Sequence, residues 1–439
     1  MKKSTLILSF ILSAMSVNGM AQKNSSASVG SASSTGYSQT KGDNTVSKQT
    51  YTSTNSDENA VQVTGGTLTM TNCTIKKTAG DTGDSDGSSF YGINSAVYCA
   101  GSSSILTMTG GTINTSAKGA NSIIAYNSGT INVSNVTINN TANLSRGIHA
   151  TGGGKIVASN LAITTAGSNS SVIATDRGGG TVTVTGGSYI TTGTDCAVTY
   201  STGTITVTDA TGSSSKGEVG VIEGDNTITL NNCTMTSGSS TRGMMILQSG
   251  SGDATGYNGK ITVNGGTITL TGSDATLCEV PTNITGTLTL KDVTLTVPSG
   301  NLMKVDYNTR WKTYGGTGNL VLTSDATWTY TGTVSKDSYG TVNVTVGKGV
   351  TWVLSANTTV NTLTVQSGAT INTNGFTLNY TTLSNNGTIT NSIDTIDKDT
   401  RTDGKVYTIQ GVKVQDDATD ISGLPKGMYI VSGKKFVKN

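Results

Sequence analysis

The sequence predicts an all-β fold, a right-handed parallel β-helix (β-solenoid) of about nine or more coils with a small C-terminal β tail. Three observations predict it. A local pattern returns about every 25 residues; the composition favours short strands and turns; and no stretch carries the 3.6-residue periodicity of an amphipathic helix. Of 439 residues 57 are Gly and only 3 Pro, with 12% charged and 5% aromatic. Abundant Thr, Asn and Gly with so few aromatics suits many short strands.

The repeat reads apolar, x, apolar, x, x, small-or-apolar, x, apolar. It starts at Leu68, Leu106, Ile131, Ile156, Val182, Ile205, Ile228, Ile261 and Leu288, the starts at Val182 and Ile205 being weaker copies. Successive starts lie 38, 25, 25, 26, 23, 23, 33 and 27 residues apart, so two coils carry insertions. The first two apolar residues are two apart and share one face of a strand. The Asn or Gly that follows turns the chain into a second short strand. One coil cannot bury its face alone, but stacked coils can. At the usual strand spacing nine coils make a rod roughly 40 Å long.

Along the chain, Lys2 and Lys3 followed by the apolar run Leu6 to Val17 form a secretory signal over residues 1–21. Gly19 and Ala21 stand at the −3 and −1 positions of a cut before Gln22. Residues 22–60 form a Ser/Thr/Asn-rich segment or cap, and 61–298 the repeats. Five cysteines are an odd number for an oxidising compartment. Cys73 and Cys233 align with Val136, Leu161 and Val293 and read as small core residues, while Cys99, Cys196 and Cys278 leave room for one disulfide. Residues 299–389 read as a continuation with wider coils, 390–401 as an exposed linker and 402–439 as a separate tail.

Two stretches resemble known families. Thr351-Trp352-Val353-Leu354, then Asn357 to Val365 and Gly368 to Ile371, resemble passenger-domain repeats of autotransporter adhesins, over about 60 residues. No membrane barrel follows them, so export by that route is not expected. The tail carries Leu424-Pro425-Lys426-Gly427-Met428-Tyr429 and Gly433-Lys434-Lys435-Phe436-Val437-Lys438. It is similar to the C-terminal sorting domain of Bacteroidetes type IX secretion substrates. That likeness implies passage across the outer membrane, engagement of the secretion machinery through Leu424, Pro425, Gly427, Tyr429, Gly433, Lys434 and Lys435, and then release or surface attachment.

Pectin-lyase-like β-helices host polysaccharide lyases and glycoside hydrolases, which need carboxylates or a base on neighbouring coils. The residues expected to face out between the paired apolar positions are Thr69, Thr107, Asn132, Val157, Thr183, Thr206, Thr229, Thr262 and Thr289. None is an acid or a base, so no catalytic residue is assigned on that face. The Thr-x-Thr rows resemble those of ice-binding solenoids and suit glycan hydroxyls; β-branched Thr also suits an exposed strand on its own account. Asp81, Asp84 and Asp86 before Gly87 approach a calcium loop, but Thr82 and Ile93 occupy ligand positions, and no metal or cofactor is expected. Asp176-Arg177 and the Lys216, Glu218, Glu223, Asp225 group either line a groove or pair at the surface. The single histidine, His149, is expected to point outward, and Tyr126 and Tyr200 to occupy equivalent positions.

A net charge of +2 on so few charges forms no basic stripe, which argues against nucleic-acid binding. The expected mature protein is extracellular or attached to the outer surface of the cell, without a membrane-spanning segment. It is non-enzymatic and adhesin-like, with a glycan or host surface as partner. A lyase or hydrolase, or a structural spacer, are the alternatives.

Overall fold

In the computed structural model, residues 30–281, 283–307 and 315–391 are described, together with tail segments 405–409, 413–416, 423–431 and 434–438. The signal segment 1–21, most of the 390–401 linker and Gly433 lie outside them.

The chain winds as a parallel β-helix with up to three strands in each coil. In one coil, Ile123–Tyr126 lies on face a, Thr130–Ser134 on face b and Thr137–Asn140 on face c. The face-a strands stack into a 12-stranded sheet, and faces b and c are the two limbs of a 20-stranded one. All nine repeat starts stack in one register, from Leu68 to Leu288, each 1% exposed or less. The register extends beyond them, to Asn44 on one side and to Leu320, Val344, Leu363 and Leu383 on the other. Residues 22–60 therefore contribute a first coil, made of β1 (Ser31–Gln39), β2 (Asp43–Ser47) and β3 (Thr50–Ser53). It stacks on β4 (Glu58–Val63) and β5 (Gly66–Lys77).

Of the wider coils expected over residues 299–389, one is present, the 32-residue step from Leu288 to Leu320. Leu320, Val344, Leu363 and Leu383 are 24, 19 and 20 residues apart. The 12-stranded sheet ends with Thr333–Lys336, and later coils run between face b and a four-stranded sheet that begins at Trp328–Thr331. With one strand fewer, each turn is shorter.

The corner between faces b and c shows how the sequence sets the coil. Four residues after each repeat start stand Asn72, Gly110, Asn135, Asn160, Gly186, Asp209, Asn232, Gly265 and Asp292, all with φ between +51° and +66°. Among residues with polar backbone mimicry, Asn and Asp tolerate this left-handed region, and Gly enters it freely. At Gly110 a second constraint applies, because an added Cβ would lie 2.2 Å from Oδ1 of Asn72 in the coil below.

Inside, the core is a continuous apolar column; burying each Leu, Ile or Val contributes about 1.5–3 kcal/mol. The inward ends of the face-c strands are polar instead: Ser53, Lys77, Thr115, Asn140, Thr165, Thr191, Ser214 and Ser237, none above 2% exposed. Several close the corner into face a by bonding a carbonyl five residues on. Asn140 Nδ2 donates to Ser145 O (2.8 Å) and Thr165 Oγ1 to Ser170 O (2.6 Å). Cys73 and Cys233 sit in the core as expected, and all five cysteines are buried free thiols, so no disulfide joins Cys99, Cys196 or Cys278.

The tail forms an antiparallel sheet of Val406–Thr408, Lys413–Gln415, Gly427–Val431 and Lys434–Lys438. Tyr429 is buried there, and its hydroxyl donates to Pro425 O at 2.8 Å. Leu424 and Gly427 are half-buried, Pro425 is exposed, and Lys434 and Lys435 lie in the last strand.

A candidate binding groove on face a

Face b keeps the predicted outward row, Thr69 to Thr289, in lateral register, and none of its members is acidic or basic. The charged chemistry gathers on face a. Its outward row runs Gln62, Tyr98, Ile124, His149, Ala174, Tyr200, Val221, Met245, Glu279 and Lys304. Tyr200 pairs with Ala174, whereas Tyr126 pairs with Thr151, so the two tyrosines are not equivalent.

The two long repeat steps explain why this row is covered. The first insertion enters from the corner between faces c and a, and turns through Gly87–Tyr91 to reach Tyr98 and Ile124. Its Asp residues shape it: Asp84 Oδ1 accepts from Gly87 N (2.8 Å) and Asp81 Oδ1 from Lys118 N (2.9 Å). Thr82 Oγ1 donates to Asp57 at 2.6 Å. It is fastened by Asn121 Nδ2 to Ser88 O (2.9 Å), Thr151 Oγ1 to Phe90 O (2.8 Å) and Arg146 to Ser89 Oγ (2.9 Å). The second insertion, after Leu247, enters from the opposite corner and brings Asp253 to Arg177 at 2.6 Å. Arg177 also lies 3.7 Å over the Phe90 ring, so one guanidinium grips both insertions.

His149 points outward on its strand, as expected, and is nonetheless fully buried. Neither ring nitrogen has a hydrogen-bond partner, and Nε2 lies 3.8 Å from Asp176 Oδ2. Burial, with Arg146 adding to it, pushes the imidazole well below its ordinary pKa. Burial pushes the Asp176 carboxyl up to about 6, although Arg146 donates to it at 3.0 Å.

Beyond the insertions the face opens into a groove of about 420 Å³. Its floor is apolar, built from Ala197, Val221, Met245 and Leu247 with Tyr200 packed against them. Its walls carry Arg146, Asp195, Lys216, Glu218, Glu223 and Arg242. Tyr200 donates to Glu223 Oε1 at 2.9 Å, while Glu223 Oε2 is buried without a hydrogen-bond partner. Burial raises the Glu223 carboxyl above its usual range. Arg242 bridges Glu218 (2.8 Å) and Glu279 (2.5 Å). Burial opposes its charge, but the two carboxylates outweigh that and hold its pKa above the ordinary value.

Of the charged groups singled out in sequence, Lys216, Glu218 and Glu223 line the groove, Asp176 is buried beside it, and Asp225 is exposed outside it. Arg146, Tyr200 and Arg242 line it as well, though nothing in their sequence neighbourhood points there. The two long repeat steps and the grouping of Lys216, Glu218 and Glu223 are the sequence signals that point to this face. No protein-family model, curated protein or solved structure matches this chain. The fold and the groove together define a parallel β-helix with one bare face and one covered, charged face. Among the described residues no helix is long and apolar enough to cross a membrane.

Proposed function

We propose that this chain is an exported, secreted or cell-surface solenoid, non-enzymatic and adhesin-like, that holds glycans in the face-a groove. The observation that carries this reading is the pairing of an apolar floor with walls of charged side chains already held by neighbours. A sugar ring offers apolar C–H faces and a rim of hydroxyls; Tyr200 and Met245 suit the first, and fixed carboxylates and guanidinium groups suit the second. The signal segment and the type IX-like tail support export and attachment outside the cell, with the secretion machinery as a second partner.

The test is to present the mature chain from Gln22 to a panel of immobilised glycans, scoring retention and released product. Retention without product, weakened about tenfold or more by Tyr200→Ala, supports the reading. Failure to retain any glycan overturns it in favour of a structural spacer. One observation favours an enzyme as second reading: the Asp176 and Glu223 carboxyls both act on Tyr200, and burial raises both of them, with Asp253 adding to it. Released product that Glu223→Gln abolishes would establish that reading instead.

A further inference from the structure

A separate cluster lies at the first coils and plays no part in the groove. Lys77 ends β5 and is fully buried, at the position where later coils carry Thr115, Asn140 and Thr165. Its Nζ donates to the main-chain oxygens of Asn55 and, at 3.1 Å, Ala79. Asn55 stands in the turn between β3 and β4, and its Nδ2 donates to Glu58 Oε1 and Oε2 at 3.3 and 3.4 Å. Glu58 is 7% exposed and also accepts from Ser53 Oγ at 2.9 Å. An amine, a carboxamide and a carboxylate thus share one small site.

The ionisation of the three groups suits a reaction among them. Burial draws the Lys77 amine down to about 8, against the pull of Glu58, Asp57 and Asp81, so a neutral nucleophilic fraction exists near neutral pH. Burial works against the Glu58 charge, but hydrogen bonds from Ser53 and Asn55 outweigh it and keep the carboxyl below its ordinary value. Glu58 is therefore a proton acceptor at neutral pH.

We infer that Lys77 and Asn55 become joined by an intramolecular isopeptide bond, with Glu58 carrying the proton. Neutral Lys77 Nζ attacks Cγ of Asn55 and a tetrahedral centre forms. Glu58 takes a proton from Nζ and delivers it to Nδ2, which already lies against it. The Cγ–Nδ2 bond breaks, Nδ2 leaves as ammonia, and the Nζ–Cγ amide remains. No oxidant or cofactor enters the balance. Nζ already donates to the main-chain oxygen of Asn55, the residue whose side chain carries Cγ. Asn55 is exposed, which lets ammonia escape to water.

The bond would tie the first coil to the second across the paired strands β3 and β5. An end coil has a neighbour on one side only and is where a solenoid frays. A covalent closure there constrains the unfolded chain as a disulfide does.

Intact and peptide mass spectrometry of the purified full chain tests this. The expected result is loss of one ammonia, assigned by fragmentation to a joined pair of peptides bearing Asn55 and Lys77. Fragmentation is needed because an N-terminal Gln22 can lose ammonia too. Glu58→Gln is expected to keep the circular dichroism of the parent and to yield the two peptides unjoined. Unjoined peptides from the parent chain, after prolonged incubation at mildly alkaline pH, overturn the inference. A joined pair in Glu58→Gln at the parent's yield overturns the role given to Glu58.

Discussion

Face b and face a are made by the same coils, a few residues apart in each turn, yet they present opposite surfaces. On face b the outward residues are mostly Thr, stacked in register and open to solvent; even Val157 among them is 52% exposed. On face a the outward row is apolar or ionisable and largely buried, because two insertions fold over it from its two edges. The difference teaches that the repeat builds the scaffold and the departures from the repeat build the site. A surface made only of the average coil carries hydroxyls and little else. Chemistry appears where coils are 38 and 33 residues long.

Breaking the keystone of the covered face should have the largest effect. Asp176→Ala leaves Arg146, which is 13% exposed, without its carboxylate, and is expected to cost about 3–5 kcal/mol in chemical denaturation. A change under about 1 kcal/mol would show that the pair adds nothing to face a. The next test uses acid. His149 cannot take a proton while buried but does so in the unfolded chain, so the parent loses stability as pH falls below 6.5. Asp176 acts oppositely, gaining its proton first in the folded state between about 6 and 3.8, which masks part of that loss. His149→Leu removes the first effect alone. Its advantage over the parent is expected to grow by about 2 kcal/mol between pH 7 and 5, read from denaturation midpoints at each pH. A pH-independent difference would mean that His149 titrates normally in the folded protein.

Smaller effects sharpen the contrast. Arg177→Ala releases both the Phe90 ring and Asp253; about 1–2 kcal/mol should be lost, with faster proteolytic cutting in the two insertions than elsewhere. Uniform cutting along the chain would argue against a clasp. On the bare face, Thr206→Ala should stay within about 0.5 kcal/mol, since its side chain stacks only on Thr183 and Thr229. A larger loss would mean that the Thr rows hold the coils together.

The coil was legible because one inward position stays apolar from Leu68 to Leu288 while a corner residue four places on stays Asn, Asp or Gly. The first coil is hard to read because Asn44 stands where the others have Leu, Ile or Val, and among the described residues no strand pairs on its far side. The polar ladder from Ser53 to Ser237 is not legible either, since Ser and Thr at strand ends read as exposed until their carbonyl partners are known. The groove was only half legible. Lys216, Glu218 and Glu223 could be grouped because they are close in sequence, but Arg177 and Asp253 are 76 residues apart and meet only when coils stack and insertions fold back.

The left-handed corner has a consequence for how such a chain can grow. Gly110 sits where Asn72 of the coil below reaches up, and Gly186 stands in the same relation to Asn160. At these two seams the upper corner has no room for a Cβ in its present backbone position. Elsewhere in the column Asn160 stacks on Asn135, and Asn232 Nδ2 donates to Asp209 Oδ1 at 2.7 Å, so Asn and Asp do follow one another there. A solenoid lengthened by copied coils would thus meet resistance at the seams below Gly110 and Gly186, and little where Asn meets Asn or Asp.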